Sequence, residues 1–208
     1  MASFSSCKTL EDALNHFQIF YETHQIISDK FFIEVPTALV EEIEFTVTET
    51  AYNVSEAAIC EAIIYPILKS LWKNFKETLF LWSHKSITKQ TKSSITGIPD
   101  YVIAKKSPLG KGVMDLPMLV MIEAKKDNFD EGWGQCVAQM HTIQTLNKGE
   151  YTIYGIVSNG DSWEFGQLLG TTFVKNPFAL SLGELQKLYN VLYFVLQQCE
   201  NQLLKTKI

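Results

Sequence analysis

The chain has 208 residues, 46% hydrophobic and 20% charged, the make-up of an ordinary globular protein with room for one large domain. That composition excludes a disordered tail, a collagen-like fibre and a disulfide miniprotein. All 18 basic residues are lysine, and the net charge of -5 argues against a protein that holds nucleic acid by bulk positive charge.

Residues 1–10 are polar and lack the basic start and apolar core of a secretory signal. The longest apolar run, Leu116 to Ile122, falls far short of the roughly 20 residues of a membrane-spanning helix. Cys7, Cys60, Cys136 and Cys199 are too widely spaced for a zinc or redox motif and read as buried, reduced thiols. A cytoplasmic protein is expected.

Leu10 to Ile27 has Leu14, Phe17, Phe20 and Tyr21 at helical spacing, which predicts an amphipathic helix. Phe31 to Val35 reads as a short strand ended by Pro36, and Ile43 to Thr50 alternates as a half-buried strand would. Asn53 or Ser55 offers an N-cap for a helix running to about Phe75 and kinked at Pro66. Leu79–Ser83, Ile98–Ala104 and Met118–Ala124 read as strands, with a Gly/Pro loop over Lys105–Pro117. A helix over Gly132–Leu146 follows. Tyr151–Val157 and Trp163–Leu169 form a hairpin whose turn signal is Asn159-Gly160, and Leu182–Leu204 closes the chain as an amphipathic helix. The fold class is α/β with a mixed sheet. The expected division is an N-terminal extension over 1–50, a core over 51–170 and a C-terminal helical segment over 171–208, all within one domain.

The charges sort by region: residues 1–61 carry -9, residues 62–130 carry +5 and residues 131–208 carry -1. The basic stretch holds Lys69, Lys73, Lys76, Lys85, Lys89, Lys92, Lys105, Lys106 and Lys111. Such a run is usually a solvated face. Here it lies beside the residues that carry the chemistry.

Those residues are Gly97-Ile98-Pro99-Asp100 and Ile122-Glu123-Ala124-Lys125. Residues two apart on a strand share a face, so Glu123 and Lys125 point one way while Ile122 and Ala124 point into the core. If the two strands pair antiparallel about a centre between residues 111 and 112, Asp100 falls opposite Glu123, with Cβ atoms about 4.5–5.5 Å apart. Two carboxylates that close repel unless a cation sits between them, and hard oxygen donors suit Mg²⁺, with Mn²⁺ as a substitute. A lysine alongside is equipment for metal-assisted phosphodiester hydrolysis. Taken alone, Glu123 and Lys125 also fit an exposed strand pair of little energetic worth. Asp115 is a rival first carboxylate but is too near Glu123 in sequence to oppose it and reads as loop.

The region resembles the PD-(D/E)XK nuclease superfamily, and in particular the N-terminal nuclease domain of type I restriction-enzyme motor subunits. The resemblance covers residues 55–169 and rests on five features in order. Ser55-Glu56-Ala57-Ala58 leads to Tyr65-Pro66-Ile67-Leu68; the Pro-Asp and Glu-x-Lys pieces follow; then come Gly134-Gln135-Cys136-Val137-Ala138-Gln139 and a final hairpin with Ser158-Asn159-Gly160 and Trp163-Glu164-Phe165. It implies a restriction-endonuclease-like core, in which Asp100 and Glu123 ligate the metal, Lys125 serves the attacking water and Glu56 supports the metal shell. Gln135 or Gln139 would orient Lys125 or touch the phosphate backbone, although the tyrosine the family often carries after its glutamine is missing. Glu61 reads as solvent-facing.

His16, His24, His84 and His141 show no ligand spacing and read as structural. Trp72, Trp82, Trp133 and Trp163 read as packing, with base stacking by Trp133 as the weaker alternative. No phosphate loop or helicase signature is present, so the resemblance does not extend to the motor. The expected function is a Mg²⁺-dependent nuclease acting on DNA, and the resemblance implies 5′-phosphate ends. The alternative is a catalytically inactive nuclease-fold binding or assembly module. Lysine grips phosphate as a point charge, whereas arginine supplies the fork that reads guanine, so little sequence specificity is expected. The apolar face of residues 182–204 leaves a homodimer through that helix open.

Overall fold

In the computed structural model, residues 7–87 and 98–205 are described. The first helix, α1 (Leu10–Phe17), starts at a capping box in which Thr9 accepts from the Asp12 N–H and Asp12 accepts from the Thr9 N–H. It ends sooner than the periodicity predicts. Gln18 turns left-handed at φ 56°, and Phe20–Thr23 becomes a strand, β1, whose Phe20 N–H donates to Thr171 O. Tertiary pairing along a sheet edge has overridden local helical spacing there.

Residues 31–35 make no strand. Their backbone bonds instead to amide side chains of the C-terminal helix: Ile33 N–H to Asn190, Val35 N–H to Gln186, and Gln186 Nε2 to Ile33 O. The segment 43–50, expected as a strand, belongs to a helix, α2 (Thr37–Glu49). Its buried residues, Leu39, Ile43 and Thr46, follow helical spacing, while the alternating Phe45 and Val47 are exposed.

Ser55 does cap the next helix, accepting from the Ala58 N–H. From there the chain runs through α3 (Glu56–Ile59), a π-helical turn (Cys60–Ile64) and α4 (Tyr65–Trp72). Pro66 sits in the first turn of α4, directly after the π-helical turn. The wide turn before it takes up the irregularity expected as a kink at Pro66.

The sheet is open, mixed and eight-stranded, in the order β1-β7-β6-β5-β4-β3-β2, with β8 attached to β6. Its strands are β2 (Leu79–Ser83), β3 (Tyr101–Lys105), β4 (Met118–Ala124), β5 (Ile153–Ser158), β6 (Ser162–Leu169), β7 (Thr172–Lys175) and β8 (Leu180–Ser181). β2, β3 and β4 are antiparallel neighbours, β5 runs parallel to β4, and the hairpin β5–β6 forms as its turn signal predicts. The β3–β4 register pairs Tyr101 with Ile122 and Val102 with Met121, on the centre expected from the sequence.

Helices cover both faces. The α5 helix (Phe129–Leu146) packs on one face with Met121, Val157 and Phe173 beneath it. On the other face α4 and α6 (Leu185–Lys205) enclose Val120, Ile122 and Ala124. The buried residues of α6, among them Leu188, Leu192, Val195 and Leu203, face the inside of the protein. All four cysteines are buried. No helix among the described residues is long and apolar enough to cross a membrane.

Candidate metal centre

The topology brings four strand ends to one place. β2 ends beside the start of β3, which lies beside the end of β4, and β4 is parallel to β5. Asp100 therefore precedes β3 and His84 follows β2 at the same edge, where the His84 N–H donates to Asp100 O at 2.8 Å. Glu123 lies at the end of β4 and Lys125 just beyond it, its N–H bonded to Ser158 O at 2.9 Å. The helical segment adds Glu56 and Cys60 from above.

Asp100 sits one residue outside the paired part of β3 and uses its carboxylate on the strand opposite. Its Oδ2 accepts from the Ala124 N–H at 2.8 Å, and its Oδ1 lies 3.5 Å from His84 Nε2. Glu123 is buried, and its Oε1 accepts a short hydrogen bond from Gln139 Nε2. The Lys125 stem is buried and its Nζ lies 3.6 Å from Glu56 Oε1. The lysine has this path because of Gly132: a Cβ there would stand 2.8 Å from Lys125 Cγ and 2.6 Å from Val157 Cγ1.

The charges in this corner do not balance locally. Three carboxylates face Lys125, with His84 half exposed at the rim. Burial first, and the Asp100 carboxylate next, push the Glu123 carboxyl up to about 8, against the downward pull of Gln139 and Lys125. Burial raises Asp100 as well, opposed by the Ala124 N–H, His84 and Lys125. The Cys60 thiol is pushed up to about 12 by burial and then by Asp100. Gln139 Oε1 is buried with no hydrogen-bond partner among the described residues. A buried polar atom without a partner costs about 1–3 kcal/mol.

Cys60, His84 and Asp100 hold their ligand atoms within 4.8 Å of one another and form a group able to bind a metal ion. Sequence reasoning placed Asp100 here but read Cys60 as a structural thiol and His84 as a structural ring. Two signals were available. Cys60 stands one helical turn after Glu56, hence on the same face. The β2–β3 register, which pairs Ser83 with Tyr101, puts His84 next to Asp100.

The remaining candidates divide. Gln139 is the glutamine that reaches the carboxylates; Gln135 bonds to Glu131 on its own helix at 3.1 Å. Glu61 is exposed, as expected. Asp115 is in the loop and pairs with Lys105 at 3.3 Å. Trp133 is wholly buried, with its Nε1 donating to Glu164, so it has no face to offer a base. Among the described residues, the basic stretch is not gathered wholly at the site. Lys105 ends β3, about 16 Å along the strand from Asp100 at about 3.3 Å per residue, and Lys106 pairs with Glu77. Lys89 and Lys92 lie outside the described residues. A cleft of about 630 Å³ between α2 and α4, lined by Glu42, Glu61, Lys69 and Lys73, includes none of the carboxylate cluster.

Fold and site together define an α/β protein with an open mixed sheet, flanked by helices, whose strand ends gather a metal-capable cluster. No model of a known protein family matches the chain, and no curated protein matches it.

Proposed function

We propose that this protein is a divalent-metal-dependent nuclease of the cytoplasm that hydrolyses DNA phosphodiester bonds with little sequence choice. The observation that carries this reading is the convergence of Asp100, Glu123, Lys125 and Glu56, from just before β3, the end of β4 and the helical segment, on one largely buried, charge-unbalanced corner. The strand order around it supports a restriction-endonuclease-like core: helix, three antiparallel strands, covering helix, then a strand parallel to the third.

The donor set fits Mg²⁺. Asp100 and Glu123 offer hard oxygens, Glu56 is exposed enough to accept from coordinated water, and the excess negative charge asks for a divalent cation. When bound, the ion supplies Lewis-acid stabilisation of the phosphate and a more acidic water. Gln139 fixes the rotamer of Glu123. Lys125, held between Gly132 and Glu56, presents its ammonium to the cluster, where it orients a water and offsets charge on a phosphate oxygen. A chain with no arginine takes DNA by its backbone, with a strong salt dependence.

The test is incubation of plasmid and linear DNA with Mg²⁺ or Mn²⁺, with Asp100→Ala and Lys125→Ala as controls. Cleavage that yields 5′-phosphate ends and disappears in both variants supports the nuclease. DNA binding without cleavage in either metal would instead identify a binding module on a nuclease fold. Neither binding nor cleavage at low salt would end the nucleic-acid reading.

A further inference from the structure

One corner of the site is not explained by hard-metal chemistry. Mg²⁺ takes oxygen and water, and has no use for a thiol or an imidazole. Yet Cys60 Sγ, a His84 ring nitrogen and an Asp100 oxygen lie together within 4.8 Å. We infer that Cys60, His84 and Asp100 form a second cation site, selective for a borderline divalent ion of the Zn²⁺ and Co²⁺ kind, which shares Asp100 with the oxygen cluster.

The donor set is one thiolate, one imidazole and one carboxylate, which leaves a fourth position for water, as in open tetrahedral sites. Bonds of about 2.0–2.3 Å to such an ion need donors closer together than 4.8 Å, and the required movement is available. Cys60 and Asp100 are anchored, but His84 is exposed at the strand end and can swing inward. Its ring already has the arrangement metal-binding histidines use. Nδ1 is 2.8 Å from the Ser83 hydroxyl, which leaves Nε2 as the nitrogen that faces Asp100.

The backbone is arranged to the same end. His84 takes a left-handed conformation at φ 48°, rare for a residue with a side chain, and its N–H is tied to Asp100 O. Cys60 opens the π-helical turn, and its carbonyl accepts from both the Tyr65 N–H and the Tyr101 hydroxyl. These bonds hold the Cys60 backbone in place at the edge of the core cluster that includes Ile63 and Ile64, with its thiol in the same group as His84 and Asp100. Binding forms one S–metal bond and releases the thiol proton to solvent. The inference does not rest on the nuclease reading, because it needs only these three side chains.

Co²⁺ titration of the full chain tests it. One equivalent should bind with tetrahedral d–d absorption and a thiolate-to-cobalt charge-transfer band, and a large excess of Mg²⁺ should not remove that band. Cys60→Ser should abolish the charge-transfer band. His84→Ala, a change at an exposed side chain, should weaken Co²⁺ binding at least about tenfold while the fold stays intact. Cobalt binding without a charge-transfer band, or a band that survives Cys60→Ser, would overturn the site, as would no binding at all. A protein that binds Co²⁺ as described but cleaves no DNA would sink the nuclease reading and leave this one standing.

Discussion

Helices cover both faces of the sheet, and the two faces are built to different rules. Under α4 and α6 the strands contribute Val120, Ile122 and Ala124, which meet Ile63, Ile67, Leu71, Leu192 and Val195. Under α5 the same stretch of β4 contributes Glu123, and Lys125 follows it, so buried ionisable groups lie beside Met121, Val157 and Trp133. The first face gains free energy with every side chain it buries. The second gives some of that gain back, because a buried ionised group costs several kcal/mol unless it is fully paired. Such a cost in one corner is what the proposed site would account for.

That contrast can be broken experimentally, and the largest effect should come from the charged side. Lys125→Ala should lower metal-dependent DNA cleavage by about 10²–10⁴-fold, the range for a positioned proton-handling group, with an unchanged far-UV CD spectrum. Next in size is a cavity on the apolar face. Leu71→Ala should cost about 2–5 kcal/mol in urea unfolding while leaving cleavage per folded molecule unaltered. A large loss of specific activity in this variant would show that the two faces are not separable.

Gly132→Ala sharpens the comparison, since it touches the boundary between packing and chemistry. The added methyl meets Val157 and the stem of Lys125, so it should destabilise by about 1–3 kcal/mol and also reduce cleavage. An unaffected cleavage rate would mean that Lys125 does not need this path.

The smallest effect is a pH dependence. The metal-free folded protein holds its Glu123 proton up to about 8, whereas the unfolded chain loses it near the ordinary value of about 4.3. The native state therefore binds more protons between those limits, and this group's contribution to stability falls as pH rises through them. His141, stacked on Phe17 at 4.4 Å, acts in the opposite sense. Burial lowers its pKa, so its contribution is lost as pH falls below about 6.5. The difference between the wild type and Glu123→Gln, followed by thermal melts from pH 5 to pH 8, isolates the first term. The variant should gain in relative stability as the pH rises, and Mg²⁺ should stabilise only the wild type at pH 8. A pH-independent difference would mean that Glu123 is ionised throughout.

The parts of the fold legible in the sequence were those where one local signal spoke alone. Asn159-Gly160 turned its hairpin, and the assumed β3–β4 centre holds at the end of β3 nearest Asp100. The failures lay where two patterns fitted the same residues. Ile43 to Thr50 alternates like a strand yet buries Ile43 and Thr46 at helical spacing, and only the neighbours of α2 choose between the two. Phe20 and Tyr21 fit a helix until β7 offers an edge to pair with.

The facing of Asp100 and Glu123 and the shared face of Glu123 and Lys125 were legible because strand alternation and antiparallel register are short-range rules with a period of two, whereas Glu56 and the glutamine helix came from the family resemblance alone. Which glutamine would matter was not legible, since Gln135 and Gln139 differ only in how α5 is rotated over the sheet. The partnership of Cys60 and His84 with Asp100 was settled by tertiary structure as well. It depends on a π-helical turn and on two strand ends meeting across residues distant in sequence, and no local periodicity records where separate elements come to rest against one another.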